Sequence, residues 1–179
     1  MNVSITEGLS YMDGPTIMEI VSFMEKINIL PKSGKALDIG PKHFKDAVAL
    51  AQLGFDVDTI EPTVEDGRHA IRITNKKAKL EDVMLKNYDV IIANNVLPFT
   101  DDAEKQLNRL YDALNPGGVM AFTLFGRDHE WKHLSLSAEP VVPQWIKTVN
   151  KREVIGMVPT YSGKPAYWHS YEYIVRKVA

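Results

Sequence analysis

The chain has 179 residues, of which 45% are hydrophobic and 25% charged, with no cysteine and a formal net charge of -2. That length closes one full core around a sheet, so a single domain over residues 1–179 is expected, with 1–14 as its leader. The balance of charge leaves no basic surplus for a nucleic-acid backbone, and the missing thiols exclude disulfides, a thiolate nucleophile and cysteine-ligated zinc. No apolar run reaches the ~18 residues that span a bilayer, and the start, MNVSITEGLS, has no basic stretch leading into an apolar one. The expectation is a soluble cytoplasmic protein with neither a nucleic-acid nor a membrane partner; self-association is left open.

In chain order, Ile17, Ile20, Val21, Met24 and Ile27 recur at helical spacing up to the breaker Pro31-Lys32-Ser33-Gly34. Lys35 to Gly40 reads as a short strand, and Phe44 to Leu53 as a helix stopped by Gly54. Phe55 to Glu61 alternates as FDVDTIE and ends at Pro62, which gives a second strand with an acid at its end. Ala70 to Thr74 is a weaker third strand, and YDVIIA, 88–93, is the continuous apolar run of a strand buried on both faces. Asp101-Asp102 caps a helix whose stripe is Leu107, Leu110, Tyr111 and Leu114, and Asn115 to Gly118 closes it. Val119 to Phe125 is the next buried strand. Glu153 to Tyr161 and His169 to Val178 are two strands joined by a connection too short for a crossover helix, so they pair antiparallel. Alternating strands and helices followed by this pair indicate a mostly parallel sheet.

GKALDIG (34–40), the acid at Glu61, YDVIIANNVLPF (88–99) and LNPGGVMAFTLFG (114–126), in that order, resemble the class I S-adenosylmethionine-dependent methyltransferases. The closing stretch GKPAYWHSYEYIVRK (163–177) is similar to the last strands of small tellurite-resistance-type members. The resemblance implies a three-layer Rossmann-like α/β fold, with a mostly parallel seven-stranded sheet and an antiparallel last strand. It also implies S-adenosylmethionine as cofactor, held outside the carboxyl ends of the strands.

Carried onto this chain, the cofactor side consists of Asp38, Gly40, Pro41 and Lys42 in the first loop, Glu61 and Pro62 after the second strand, Leu80 and Asn94. Glu61 stands where an acid accepts the ribose hydroxyls, and Leu80 where a backbone amide meets adenine. The acceptor side consists of Asn95, Phe125, His129 and His133. No catalytic base is implied, because transfer from a sulfonium chiefly requires in-line placement of the acceptor and exclusion of water.

The family pattern in the first loop is Asp-x-Gly-x-Gly-x-Gly; Asp38 and Gly40 match, but Lys42 and Phe44 occupy the next two glycine positions. Phe44 there could fill the space of the cofactor's amino-acid end, and Lys79 stands where an acid is usual. The competing function is therefore a non-catalytic binding protein that kept the fold and lost the cofactor. A different chemistry is spelled by His129-Glu130-x-x-His133, the pattern of a zinc hydrolase. Gly126 just ahead of it leaves little room for a buried helix and Lys132 adds a like charge, so no metal is expected.

Overall fold

The computed structural model describes residues 2–5, 17–41, 44–134, 142–144, 146–159 and 164–178. In chain order the elements are β1 (Asn2–Ile5), α1 (Ile17–Lys26), β2 (Gly34–Ile39), α2 (Lys45–Gln52), β3 (Phe55–Ile60), β4 (Gly67–Ala70), β5 (Ile73–Lys76), β6 (Tyr88–Ala93), α3 (Ala103–Ala113), β7 (Leu114–Phe125), β8 (Thr148–Pro159) and β9 (Pro165–Arg176). Short 3-10 turns cover Leu80–Asp82, Leu97–Phe99 and Glu130–Leu134. No helix among the described residues is long and apolar enough to cross a membrane.

The sheet runs β1-β8-β9-β7-β6-β2-β3-β5-β4. The expected seven-stranded core is present from β8 to β5, and the described residues add β1 and β4 at its two edges. Every neighbouring pair from β7 to β5 is parallel, whereas β9 lies antiparallel between β7 and β8. The antiparallel last strand is thus inserted one place in from β8.

Alternation along β2 sends Leu37 and Ile39 to one face and Ala36 to the other. The first face packs with α3 through Leu107 and Leu110, and the second packs with α1 and α2 through Val21, Met24, Ala47 and Leu50. Helices on both faces of a parallel sheet explain why β6 is an unbroken apolar run.

Three expectations on strand boundaries need correction, and the first is that the strand expected at 119–125 begins at Leu114, which caps α3 in extended conformation instead of continuing its stripe. The weak strand at 70–74 is instead the hairpin β4–β5, because Ile71 and Arg72 form its turn with Arg72 at φ 65°. The terminal pair is longer than expected at its start, paired from Thr148↔Val175 to Pro159↔Pro165. Charged residues hid that extension from an apolar-alternation reading: Arg152 faces Glu172 across the pair in an ion pair, and Lys151 lies over the Tyr171 ring.

Candidate functional site

Because β2, β3, β5, β6 and β7 are parallel, the loops that follow them gather at one edge of the sheet, and β9 begins there. Gly40 leaves β2 at φ 68° and donates its N–H to Ile60 O at 2.9 Å. A Cβ on Gly40 would meet Val96 Cγ2 at 3.4 Å, an ordinary contact where the loops after β2 and β6 approach, so it is the positive φ that favours glycine here.

Phe44, at the third glycine position, adopts the left-handed conformation itself, with φ 56° and ψ 15°. Its N–H donates to Pro41 O and its carbonyl accepts from Val48 N, each at 2.8 Å, so the turn into α2 closes without a glycine. A non-glycine residue in that region costs roughly 1–2 kcal/mol. The ring lies 5.6 Å from that of His69 on β4 and packs on the apolar cluster of α1 and α2. That packing directs it to the core beside α2. Lys42 and His43 lie outside the described residues.

Asp38 is 2% exposed and accepts the Ala47 N–H in the first turn of α2. Its Oδ2 is buried with no partner among the described residues. Burial, and then the nearby Asp46 carboxyl, hold its pKa well above the usual carboxylate range.

Glu61, at the end of β3, is also buried, but its environment differs: Oε1 accepts the Thr63 N–H at 2.9 Å and the Thr63 hydroxyl at 2.6 Å. Oε2 has no partner among the described residues. The turn that carries both residues is held by Asn75, whose Nδ2 donates to Glu61 O, Val64 O and Glu65 O while Oδ1 accepts from Thr59. Thr63 and Asn75 escaped sequence reasoning; the available signal was an asparagine on the inward phase of a strand, which must find polar partners. Pro62 is exposed. Leu80 is buried in its 3-10 turn, which Arg109 of α3 grips through Leu80 O at 3.2 Å and Val83 O at 2.6 Å. Lys79 is exposed.

Across from these, Asn94 Oδ1 accepts the Thr123 hydroxyl at 3.0 Å, which ties the end of β6 to β7. Asn95 takes φ 52°, and its Oδ1 is buried without a partner among the described residues. Phe99 meets Phe125 edge-on at 5.5 Å, and Phe125 stacks on His129 at 3.8 Å. His129 is 3% exposed, its Nδ1 accepts the Trp131 N–H at 3.0 Å, and burial together with His169 pushes its pKa down to about 4.

His169, which opens the same region of β9, accepts the Asp128 N–H at Nδ1 (3.2 Å) and meets Glu153 Oε1 at 3.0 Å through Nε2. It packs on Gly126, where a Cβ would come within 2.5 Å of the ring. His133 is exposed and donates Nδ1–H to Glu130 O at 2.8 Å. The two histidines of the zinc-like pattern therefore do not converge, and Glu130 Oε2 instead receives the Tyr167 N–H at 2.6 Å. Phe125 and His129 are thus brought together by stacking, whereas His133 makes its described contact with the backbone of its own turn.

The family described as "Methyltransferase domain" matches residues 10–158. No protein of curated function matches the chain by sequence. Among solved structures, the fold is shared with 1,6-didemethyltoxoflavin-N1-methyltransferase of Burkholderia thailandensis, bound to 1,6-didemethyltoxoflavin and S-adenosylhomocysteine. The two are 17% identical over 89% of this chain and 76% of that one, with a TM-score of 0.62. N-methyltransferase NodS of Bradyrhizobium japonicum gives a TM-score of 0.60 at 14% identity, covering 94% of this chain and all of the other. TehB of Haemophilus influenzae gives 0.62 at 15% identity over 89% of this chain and 62% of that one.

Proposed function

Because the chain belongs to the methyltransferase-domain family, we propose that it binds S-adenosylmethionine beyond the carboxyl ends of β2, β3 and β6 and transfers the methyl group to a small-molecule acceptor. The observation that carries this reading is Glu61. Thr63 fixes one carboxylate oxygen and leaves the other to accept from a ligand, which suits a ribose diol at a strand end. Asp38 fits the same group: a buried carboxyl with an oxygen unpartnered among the described residues is suited to a ligand's ammonium. Gly40, Pro41 and Lys42 would shape the loop beneath the cofactor, Pro62, Leu80 and Asn94 would flank it, and Gly40 keeps the approach over Val96 open.

Bound there, the cofactor would supply an electrophilic methyl group, whose S–C bond would break to leave a thioether as the acceptor's lone pair forms the new bond. The chain's own part is to orient the acceptor and to exclude water. Asn95, Phe125 and His129 stand at the sheet edge that would do so, where Phe125 packs against both Phe99 and His129. The absence of a basic surplus supports the choice of a small-molecule acceptor.

A second reading, a binding protein without the cofactor, is favoured by one observation, the exposed Lys79 where an acid would face adenine. The two are separated by incubating the protein with methyl-labelled S-adenosylmethionine and a low-molecular-weight metabolite extract. Label appearing in a new small molecule is expected. Label confined to protein or RNA, or no turnover beyond the blank, would overturn the proposal.

A further inference from the structure

Resting on the acceptor site proposed above, we infer that the acceptor is an uncharged planar ring bearing a carbonyl-type oxygen, and that the N–H groups of His129 Nε2 and Trp168 Nε1 receive that oxygen. Both side chains are 3% exposed, and neither of these nitrogens has a partner among the described residues. A buried donor left unpaired is costly, and native structures keep few of them. Here two belong to rings in direct contact, 4.4 Å apart at 61°. They meet at the sheet edge where the acceptor is expected, His129 from the turn after β7 and Trp168 from the start of β9.

The protonation of His129 is fixed by its neighbours. Its Nδ1 accepts the Trp131 N–H, so the neutral ring carries its proton on Nε2 and presents a donor. A pKa of about 4 keeps the ring neutral at physiological pH. The surrounding faces are aromatic: Phe125 stacks on His129, and Trp131, partly exposed on the short 3-10 turn, meets Trp168 edge-on at 5.2 Å. Such walls select a flat ligand.

Charge decides between a carbonyl and a carboxylate. Asp128 and Glu153 flank His169 next to this enclosure, and Glu130 binds the Tyr167 N–H at its rim. Three carboxylates disfavour an anion, whereas a neutral oxygen accepts both N–H bonds without that repulsion. Both nitrogens of His169 are already engaged and His129 carries its proton on Nε2, so neither of these two buried histidines offers a free basic nitrogen to the site. The acceptor's reacting atom must bring its own lone pair.

The test reads the indole N–H directly. In 15N-labelled protein the three tryptophans, Trp131, Trp145 and Trp168, give three indole signals, and Trp168→Phe assigns one. Benzamide is titrated as the neutral carbonyl probe, benzoate as its anionic counterpart and toluene as the ring alone. The expected result is a saturable downfield shift of the Trp168 indole proton with benzamide, at least tenfold weaker binding of benzoate, and no downfield shift with toluene. His129→Phe keeps the stack and removes the donor, so it should weaken benzamide at least fivefold and leave toluene unchanged.

Equal responses to all three probes, an indole proton that none of them moves, or an unchanged benzamide affinity in His129→Phe would overturn the inference. Should His129→Phe fail to fold, benzamide affinity in Trp168→Phe is followed on a labelled His129 ring instead: at least fivefold weakening is expected, and an unchanged affinity overturns the inference. Parallel calorimetry with S-adenosylhomocysteine keeps the two readings separate. Cofactor product binding without a benzamide response refutes this subsite alone, and a benzamide response without product binding refutes the methyl-transfer reading while the subsite stands.

Discussion

Asp38 and Glu61 are both buried acids at the ends of adjacent strands, but their surroundings divide their roles. Glu61 is held by two hydrogen bonds from Thr63, while Asp38 faces burial and a second carboxyl with one oxygen unpartnered. A group whose pKa is raised by folding stabilises the fold at low pH and loses that contribution as pH rises through the folded value. Asp38→Asn should therefore raise the melting temperature at neutral pH, with the gain shrinking on acidification, and weaken S-adenosylhomocysteine about tenfold. Melting and binding curves at two pH values check both signs.

His129 works in the opposite sense. Its pKa falls from 6.5 to about 4, so the folded chain holds fewer protons between those values and stability is lost as pH drops through that window. At pH 5 the loss is about 2 kcal/mol relative to pH 7. Urea midpoints at the two pH values should differ accordingly, and His129→Phe should remove that part of the difference. The positions of these residues along the chain were legible in the sequence. What set their behaviour was not: Asp46, Thr63 and Trp168 act on them through contacts that only the folded sheet edge creates.

At the scale of elements, the helix signals were the most readable because they depend on local chemistry. Asp102 caps α3 as its sequence position implied, accepting the Lys105 N–H at 2.9 Å. Asp102→Ala should cost about 1 kcal/mol, lower the melting temperature by about 2–4 °C and leave cofactor binding untouched. The entry to α2 was legible as a turn but not as a left-handed phenylalanine, since glycine is the ordinary occupant of that conformation and the ring's support comes from His69 on a hairpin that the sequence blurred into one strand. The β7–β9 corner depends on Gly126, where His169 lies against a bare α-carbon. Gly126→Ala forces that ring to move and should cost about 1–3 kcal/mol. Since the displaced ring would disturb Glu153, Asp128 and the turn that carries His129, hydrogen exchange should report loosening at 126–131 ahead of global unfolding.

For the molecule as a whole, the mostly parallel sheet and its antiparallel terminal pair followed from the alternation of strands and helices together with a terminal connection too short for a crossover, whereas the order of the strands did not. The two outer strands did not, because a strand of four residues at an edge carries too little pattern to be read alone. The sheet then does one thing for function: it brings loops distant in sequence to one edge, with a prepared acid at Glu61, a left-handed glycine at Gly40 and aromatic rings packed around His129. Within that arrangement the loop after β2 closes without its usual glycines, and the proposed methyl transfer requires that it still accommodate the cofactor.

Calorimetric titration of the ligand-free protein with S-adenosylhomocysteine, beside Glu61→Ala, tests that claim most directly. Saturable binding near the micromolar range, weakened about ten- to a hundredfold in Glu61→Ala with the fold intact, is the predicted result. A well-folded wild-type protein that binds none, or a Glu61→Ala variant that binds as tightly, would contradict it.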